Sequence, residues 1–284
     1  MTEFNFSDHP HLTCKDHTVS GEKFELWKDE NLDLLVTFPR PALDKLPEYY
    51  KSEKYISHTD SQETFFEKVY QQVKKYMLRK KLSWIEKEFS TPGKLLDIGA
   101  GTGDFLAEAE KAGWKISGVE PNLSARELAS KKGISLNENS EEFPSASFDF
   151  ITMWHVLEHV PDLDTQIREL DRLLKPGGIL LIAVPNFRSK DAELYKENWA
   201  AYDVPRHLFH FSRKAIEKIF SNHSFKKTKE KGLPFDAFYV SLLSEKIKTQ
   251  NGNPIKGLFN GLRSNLHAAY TGEYSSITYF FKKS

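Results

Sequence analysis

One cysteine, Cys14, stands among 284 residues. That excludes an internal disulfide framework and a cysteine-rich zinc site. No apolar run approaches the roughly 18–20 residues needed to cross a bilayer. The opening stretch MTEFNFSDHPHLT is polar and lacks the apolar core of a secretory signal. An excess of one charge is missing too, with 40 basic residues against 40 acidic ones. Composition therefore gives no electrostatic case for a nucleic acid or an anionic membrane as partner. Internal repeats and low-complexity tracts are absent. Together these gaps predict a soluble, cytoplasmic protein, and they say nothing of its oligomeric state.

What is present suffices for a sizeable core: 39% hydrophobic residues, with 21 Phe, 11 Tyr and 5 Trp. EKFELWKDENLDLLVTFPRP alternates like a hairpin and stops at Pro39 and Pro41. LPEYYKSEKYISHTDS is Tyr-rich and loop-like. Across 61–89, Phe65, Val69, Val73, Tyr76 and Met77 recur at helical spacing. The basic face of that stretch is expected to be solvated. The rhythm then changes. KLLDIGA, KISGVEP, ISL at 134–136, FDFITMW and ILLIAVPN read as strands, separated by helical stretches that end at Gly113, Gly133 and PGG. Strands alternating with helices of this length predict an α/β, doubly wound, mostly parallel sheet with helices on both faces. Further on, SRKAIEKIF with Ser212 as N-cap and FDAFYVSLLSEKI read as helices, and SSITYFF at 275–281 as a final edge strand.

LLDIGAGTGDF carries three glycines, at 99, 101 and 103, between a strand and a helix. Glycines permit close backbone approach and positive φ, and the amides of the following helix attract anionic groups. The spacing does not make a dinucleotide fingerprint, because G-x-G-x-x-G counted from Gly99 meets Asp104. No Lys-Ser/Thr pair follows, as a P-loop requires. Asp97, two residues ahead, suits a cationic ligand better than a diphosphate. Glu120, ending the second strand, can accept hydrogen bonds from both hydroxyls of a ribose, which implies a nucleoside but does not choose between NAD and adenosylmethionine.

In that order, LLDIGAGTGDF, GVEP, FDFITMWHVLEHVPD and LLKPGGILLIAVPN resemble a class I S-adenosylmethionine-dependent methyltransferase over about 93–187, and YDVPRHLFHFS at 202–212 extends the match. The resemblance implies seven strands, the last antiparallel, with KKTKEKG and SSITYFF as the final two. It implies S-adenosyl-L-methionine as cofactor. Gly99, Ala100, Gly101, Gly103 and Asp104 would surround the methionine moiety and Asp97 would orient its ammonium. Glu120 would hold the ribose beside Pro121 and Asn122, with Asn139 and Ser140 near adenine. Met153, Trp154 and His155 would face the sulfonium and the acceptor. Related chains often begin with a zinc ribbon followed by a Tyr-rich segment. PEYYKSEKYISH is kept here, but Cys14 alone cannot build the ribbon's site, so residues 1–60 are expected to be a metal-free, ribbon-like cap. A helical connector at 61–92 and a methyltransferase domain at 93–284, with a cap segment at 187–275, complete the expected organisation.

His155, His207 and Tyr202 are the candidate catalytic residues. His155 ends the fourth strand, so it either meets cofactor or acceptor or is a helix-start histidine bonded to backbone. His159, four residues on, shares its helical face. As a metal pair the two lack the H-E-x-x-H context, since position 156 is Val; no metal is expected, and His159 reads as packed and structural. His207 and His210 lie in the loop after the fifth strand, where His207 is either an acceptor contact or base, or a loop anchor. Arg206 is a weaker candidate for an acidic substrate group. Tyr49, Tyr50, Tyr55 and His58 form either a lid or an aromatic cluster. The function expected is methyl transfer to a small-molecule acceptor. Two alternatives stay open: an NAD-dependent oxidoreductase, and a non-catalytic cofactor-binding or interaction module on the same fold.

Overall fold

A computed structural model of the protein describes residues 4–50, 65–89, 91–249 and 251–284, with residues 65–71 described by backbone alone. Strands β1 (Leu12–Lys15), β2 (Lys23–Asp29) and β3 (Leu34–Phe38) come first, followed by α1 (Phe65–Glu86) and β4 (Lys94–Ile98). Next are α2 (Asp104–Lys111), β5 (Lys115–Val119), α3 (Leu123–Ser130), β6 (Phe148–Trp154), α4 (Leu163–Leu173) and β7 (Leu174–Pro185). The remainder forms α5 (Lys190–Tyr195), β8 (Phe209–His210), α6 (Arg213–Ser221), β9 (Phe225–Gly232), α7 (Pro234–Thr249), α8 (Pro254–Thr271) and β10 (Ser276–Lys283). The main sheet has six strands in the order β5-β4-β6-β7-β10-β9. The expected α/β architecture is what the chain adopts. Two compact units divide it: Met1–Ser52, His155–Arg168 and Ile182–Phe281 make the first, and Glu53–Trp154, Glu169–Leu181 and Lys282–Ser284 the second.

In the second unit β4 lies between β5 and β6 and runs parallel to both, with Asp97 opposite Gly118 on one side and Thr152 on the other. Leu95, Leu96, Phe150, Ile151 and Met153 are fully enclosed. Near-continuous apolar runs of this kind belong to strands covered on both faces. Two expectations about strands are corrected. Residues 134–136 make no strand: Ile134 buries its side chain, and the only sheet contact there is one parallel bridge from Val119 to Asn137. Three residues followed by polar Asn137-Glu138-Asn139 offer too short an apolar run to extend a ladder, so the main sheet has six strands rather than seven. SSITYFF is an interior strand rather than an edge: β10 sits between β7 and β9, and Ser276 to Phe281 are all buried.

The first unit contains a four-stranded sheet in the order β1-β2-β3-β8. The predicted hairpin is β2-β3, paired antiparallel with Trp27 opposite Val36. Strand β8 joins β3 through Val36 opposite Phe209 and Leu35 opposite His210. Under this sheet Cys14, Phe24, Leu26, Trp199 and Tyr202 share an apolar cluster. Ser212 caps α6 as expected, accepting from the Ala215 amide. No element is expected from sequence over residues 254–271, which form α8. Its Gly257 and Gly261 are spacers: a Cβ at Gly257 would come within 3.1 Å of Leu242 Cα, and one at Gly261 within 2.8 Å of Phe238 Cα, so α7 and α8 pack backbone to backbone. Tyr55 and His58 lie outside the described residues.

Candidate active site

In the second unit, β4 ends at Ile98 and the chain folds back on β5. The Gly99 and Ala100 amides both donate to the Val119 carbonyl, at 2.8 and 2.9 Å. Gly101 and Gly103 then take φ of 54° and 74°, conformations that side chains resist. A Cβ at Gly103 would press on Ile134 and Ala129, whereas one at Gly101 would meet no atom of the described residues within 4 Å. Among those residues Gly101 thus presents bare backbone. Its amide donates to Glu120 Oε2 and the Asn122 amide to Oε1, both at 2.9 Å. Each oxygen keeps a lone pair for a hydroxyl.

Asp97 is 2% exposed and accepts one hydroxyl, from Thr152 at 2.6 Å. Burial pushes its carboxyl up to about 7; the Thr152 hydrogen bond and the charge of Lys81 pull down, and Glu120 pushes further up. Lys81 Nζ stands 4.1 Å from the centroid of the Trp154 ring, which meets Phe105 edge-on at 5.5 Å. The indole Nε1 is buried without a hydrogen-bond partner among the described residues. This donor set, with two carboxylates flanking bare backbone and an aromatic face that already attracts a cation, fits a cationic nucleoside and disfavours a diphosphate.

Other predicted cofactor residues are committed elsewhere. Asp104 pairs with Lys74 at 2.8 Å and Lys132 at 2.7 Å. Burial pulls its pKa up, but these two ammonium groups outweigh that and hold it low. Asn122 caps α3 through the Ala125 amide. Pro121 gives its carbonyl to Arg126. Asn139 closes a turn on the Glu141 amide, and Ser140 donates to Glu169 at 2.6 Å. Met153 is fully buried in β6.

The first unit gathers the histidines. His155 follows Trp154 directly, at φ 57°, a left-handed conformation rare for a residue with a side chain. Its amide donates to the Ala183 carbonyl at 2.9 Å. Its ring lies between Asp236 Oδ2, 3.2 Å from Nε2, and Glu158 Oε1, 3.6 Å from Nδ1. Burial disfavours the imidazolium, yet the two carboxylates outweigh it and raise the pKa to about 9. His159 and His207 meet edge to face, with centroids 4.5 Å apart. Burial, then the charge of His207, pushes His159 down to about 4. His210 shares a 3.0 Å hydrogen bond with the Thr37 hydroxyl. Tyr202 is 3% exposed and packs on Trp199 and His210; burial raises its phenol far above the usual range. Arg206, 1% exposed, is spent on Asp203 and Asp16. Tyr49 donates to Glu22, and Tyr50 lies 3.0 Å from His159 Nδ1.

Glu158 was missed from sequence. It is 1% exposed within HVLEHVP. A lone carboxylate in an apolar run beside two histidines was the available signal.

Residues 69–230 match a family model described as a methyltransferase domain. The chain belongs to that family. The matched segment of this methyltransferase-domain chain includes both the glycine loop and the histidine cluster. Among curated relatives, the ubiquinone biosynthesis O-methyltransferase of Pseudomonas aeruginosa (strain LESB58) is 31% identical over 134 residues, 43% of this chain and 57% of its own. The enzyme of the same name from Coxiella burnetii (strain Dugway 5J108-111) is 34% identical over 133 residues, 43% of this chain and 56% of its own. The chain thus spans little more than half the length of these relatives. Among solved structures, Haemonchus contortus phosphoethanolamine N-methyltransferase 2 in complex with S-adenosyl-L-methionine superposes with a TM-score of 0.55 at 20% identity, over 87% of this chain and 61% of its own. That likeness shows a shared fold.

Proposed function

We propose that this protein binds S-adenosyl-L-methionine at the glycine loop of the second unit and transfers its methyl group to a small-molecule acceptor. The observation that carries the reading is bare backbone at Gly101 flanked by the carboxylates of Asp97 and Glu120. Asp97 would hold the amino-acid ammonium and Glu120 the ribose hydroxyls, while Trp154 would offer an aromatic face to the positive sulfur. The cofactor supplies a methyl group on a sulfonium that departs neutral, so the protein needs no acid for the leaving group. Its own residues align the reactants and exclude water. Acceptor-side work would fall to His155, which follows Trp154 directly in the chain. The relatives' names, an O-methyltransferase of ubiquinone biosynthesis and a phosphoethanolamine N-methyltransferase, support a small acceptor.

Calorimetry with S-adenosylhomocysteine tests the cofactor. One site per chain is expected, and Glu120→Gln should weaken it about 10–100-fold, the loss of a hydrogen bond to a charged group. Absence of binding at millimolar ligand overturns the reading. Labelled-methyl transfer into the small-molecule fraction of a cell extract then separates an enzyme from a non-catalytic binder.

A further inference from the structure

Glu158 is 1% exposed, yet neither of its carboxylate oxygens has a hydrogen-bond partner among the described residues. His155 Nδ1, at 3.6 Å, is at ion-pair rather than hydrogen-bond range. His155 balances the Glu158 charge from one side but leaves the carboxylate's lone pairs without a donor, which suits an electron-pair acceptor such as a cation. Two imidazoles supply the rest of a ligand set. His207 Nδ1 is 2.9 Å from the Ala201 carbonyl, and His159 Nδ1 is 3.0 Å from the Arg206 carbonyl. A carbonyl only accepts, so both Nδ1 atoms carry the proton and both Nε2 atoms keep a lone pair. Backbone carbonyls fixing the outer nitrogen are the usual support of metal-bound histidine.

We propose that Glu158, His159 and His207 bind a first-row divalent cation of the zinc type. One ligand atom from each lies within 4.8 Å of the other two. Tetrahedral bonds of about 2.1 Å set ligand atoms about 3.4 Å apart, so an ion has to draw these three together. Two imidazoles with one carboxylate favour zinc, cobalt, manganese or iron over magnesium, which prefers oxygen. The frame around the ligands is rigid: the Leu208 amide donates to the Glu158 carbonyl at 2.8 Å, and the Thr37 hydroxyl to the His207 carbonyl at 2.7 Å. His155 stands beside the carboxylate at 3.6 Å and is held on its other side by Asp236 at 3.2 Å. Three protein ligands leave a fourth position for water or an anionic oxygen. The expectation of no metal rests on the lone Cys14 and on His155 with His159; it leaves out Glu158, adjacent to His159, and His207, brought in by the loop that carries β8.

The test is direct binding to the whole chain, independent of catalysis. After treatment with a chelator, calorimetry with Zn2+ should show one equivalent per chain at micromolar or tighter affinity. Glu158→Gln and His207→Ala should each weaken it at least about tenfold, with circular dichroism confirming that each variant folds. If either variant fails to fold, the visible spectrum of the wild-type Co2+ complex decides, because imidazole ligation at four coordinates gives intense absorption and an all-oxygen site does not. No stoichiometric binding, unchanged affinity in the folded variants, or an all-oxygen Co2+ spectrum overturns the proposal. S-adenosylhomocysteine affinity, measured on the same samples, reports the glycine loop separately, so the cofactor reading and the metal site can fail independently.

Discussion

Asp97 carries its carboxyl inside the protein with one hydroxyl for company, and its ionisation opposes folding. Its pKa rises from 3.8 to about 7. That gap is worth about 4 kcal/mol, at 1.36 kcal/mol for each pH unit. The folded value is the higher one, so the protonated group stabilises the fold below about pH 4, and that contribution is lost as pH rises to about 7. Above pH 7 the wild type carries a buried carboxylate held by Thr152. Asp97→Asn keeps the shape and the Thr152 hydrogen bond and removes the charge. Urea unfolding of both proteins from pH 4 to pH 8 isolates the effect, since every other titrating group cancels in the difference. The variant should gain on the wild type by about 4 kcal/mol across that interval and by nothing more above it. Cofactor binding should move the opposite way. The ammonium of S-adenosylhomocysteine needs the carboxylate, so wild-type affinity should tighten up to about pH 7, and the variant should bind about 10–100-fold more weakly at pH 8. A stability difference that is flat with pH, or a variant that binds as tightly as the wild type, refutes the reasoning.

Two further outcomes follow from buried groups of the first unit. Arg206→Met leaves Asp16, whose side chain is fully buried, without its guanidinium, and should cost about 3–5 kcal/mol in denaturant unfolding; a loss below 1 kcal/mol would contradict the pairing. Burial pulls the Asp16 pKa up, but the Ser20 and Thr18 amides and Arg206 pull it further down. Its stabilisation is therefore present above about pH 4 and lost as pH falls below that, and the acid loss should shrink in Arg206→Met. Cys14 is 2% exposed, and burial pushes its thiol up to about 12. It should stay silent to a disulfide reagent at pH 8 and react at the rate of unfolding; rapid reaction of the native protein would show that its pocket opens.

The strands and the glycine loop were legible because both are local. A buried parallel strand writes itself as LLDI or FITM, and a bend at positive φ writes itself as glycine. What failed was anything set by a distant partner. SSITYFF reads as an edge strand, yet its unbroken burial depends on β9 covering its far side, which the segment itself does not encode. Helix α8 carries Gly257 and Gly261, whose reason, the backbone of α7, is not local. A motif names the candidate cofactor residues, but it cannot show that Asp104 answers to two lysines from other segments. Glu158 escaped for the same reason: only the fold brings position 207 beside 158 and 159, and only there does the carboxylate's lack of hydrogen bonds become visible.

Strand β3 finds its second neighbour late. The Thr37 hydroxyl bonds a carbonyl 170 residues further along the chain. At about 5–20 residues per second, synthesis leaves that side of β3 unpaired for roughly 10–35 s. An open strand edge of Leu-Leu-Val-Thr-Phe is a template for any other extended segment, including the same strand of a neighbouring nascent chain. Yield in a host cell is then governed by how crowded the ribosomes are while that edge waits, and slower translation lengthens the wait. The arrival of two residues, Phe209 and His210, ends it.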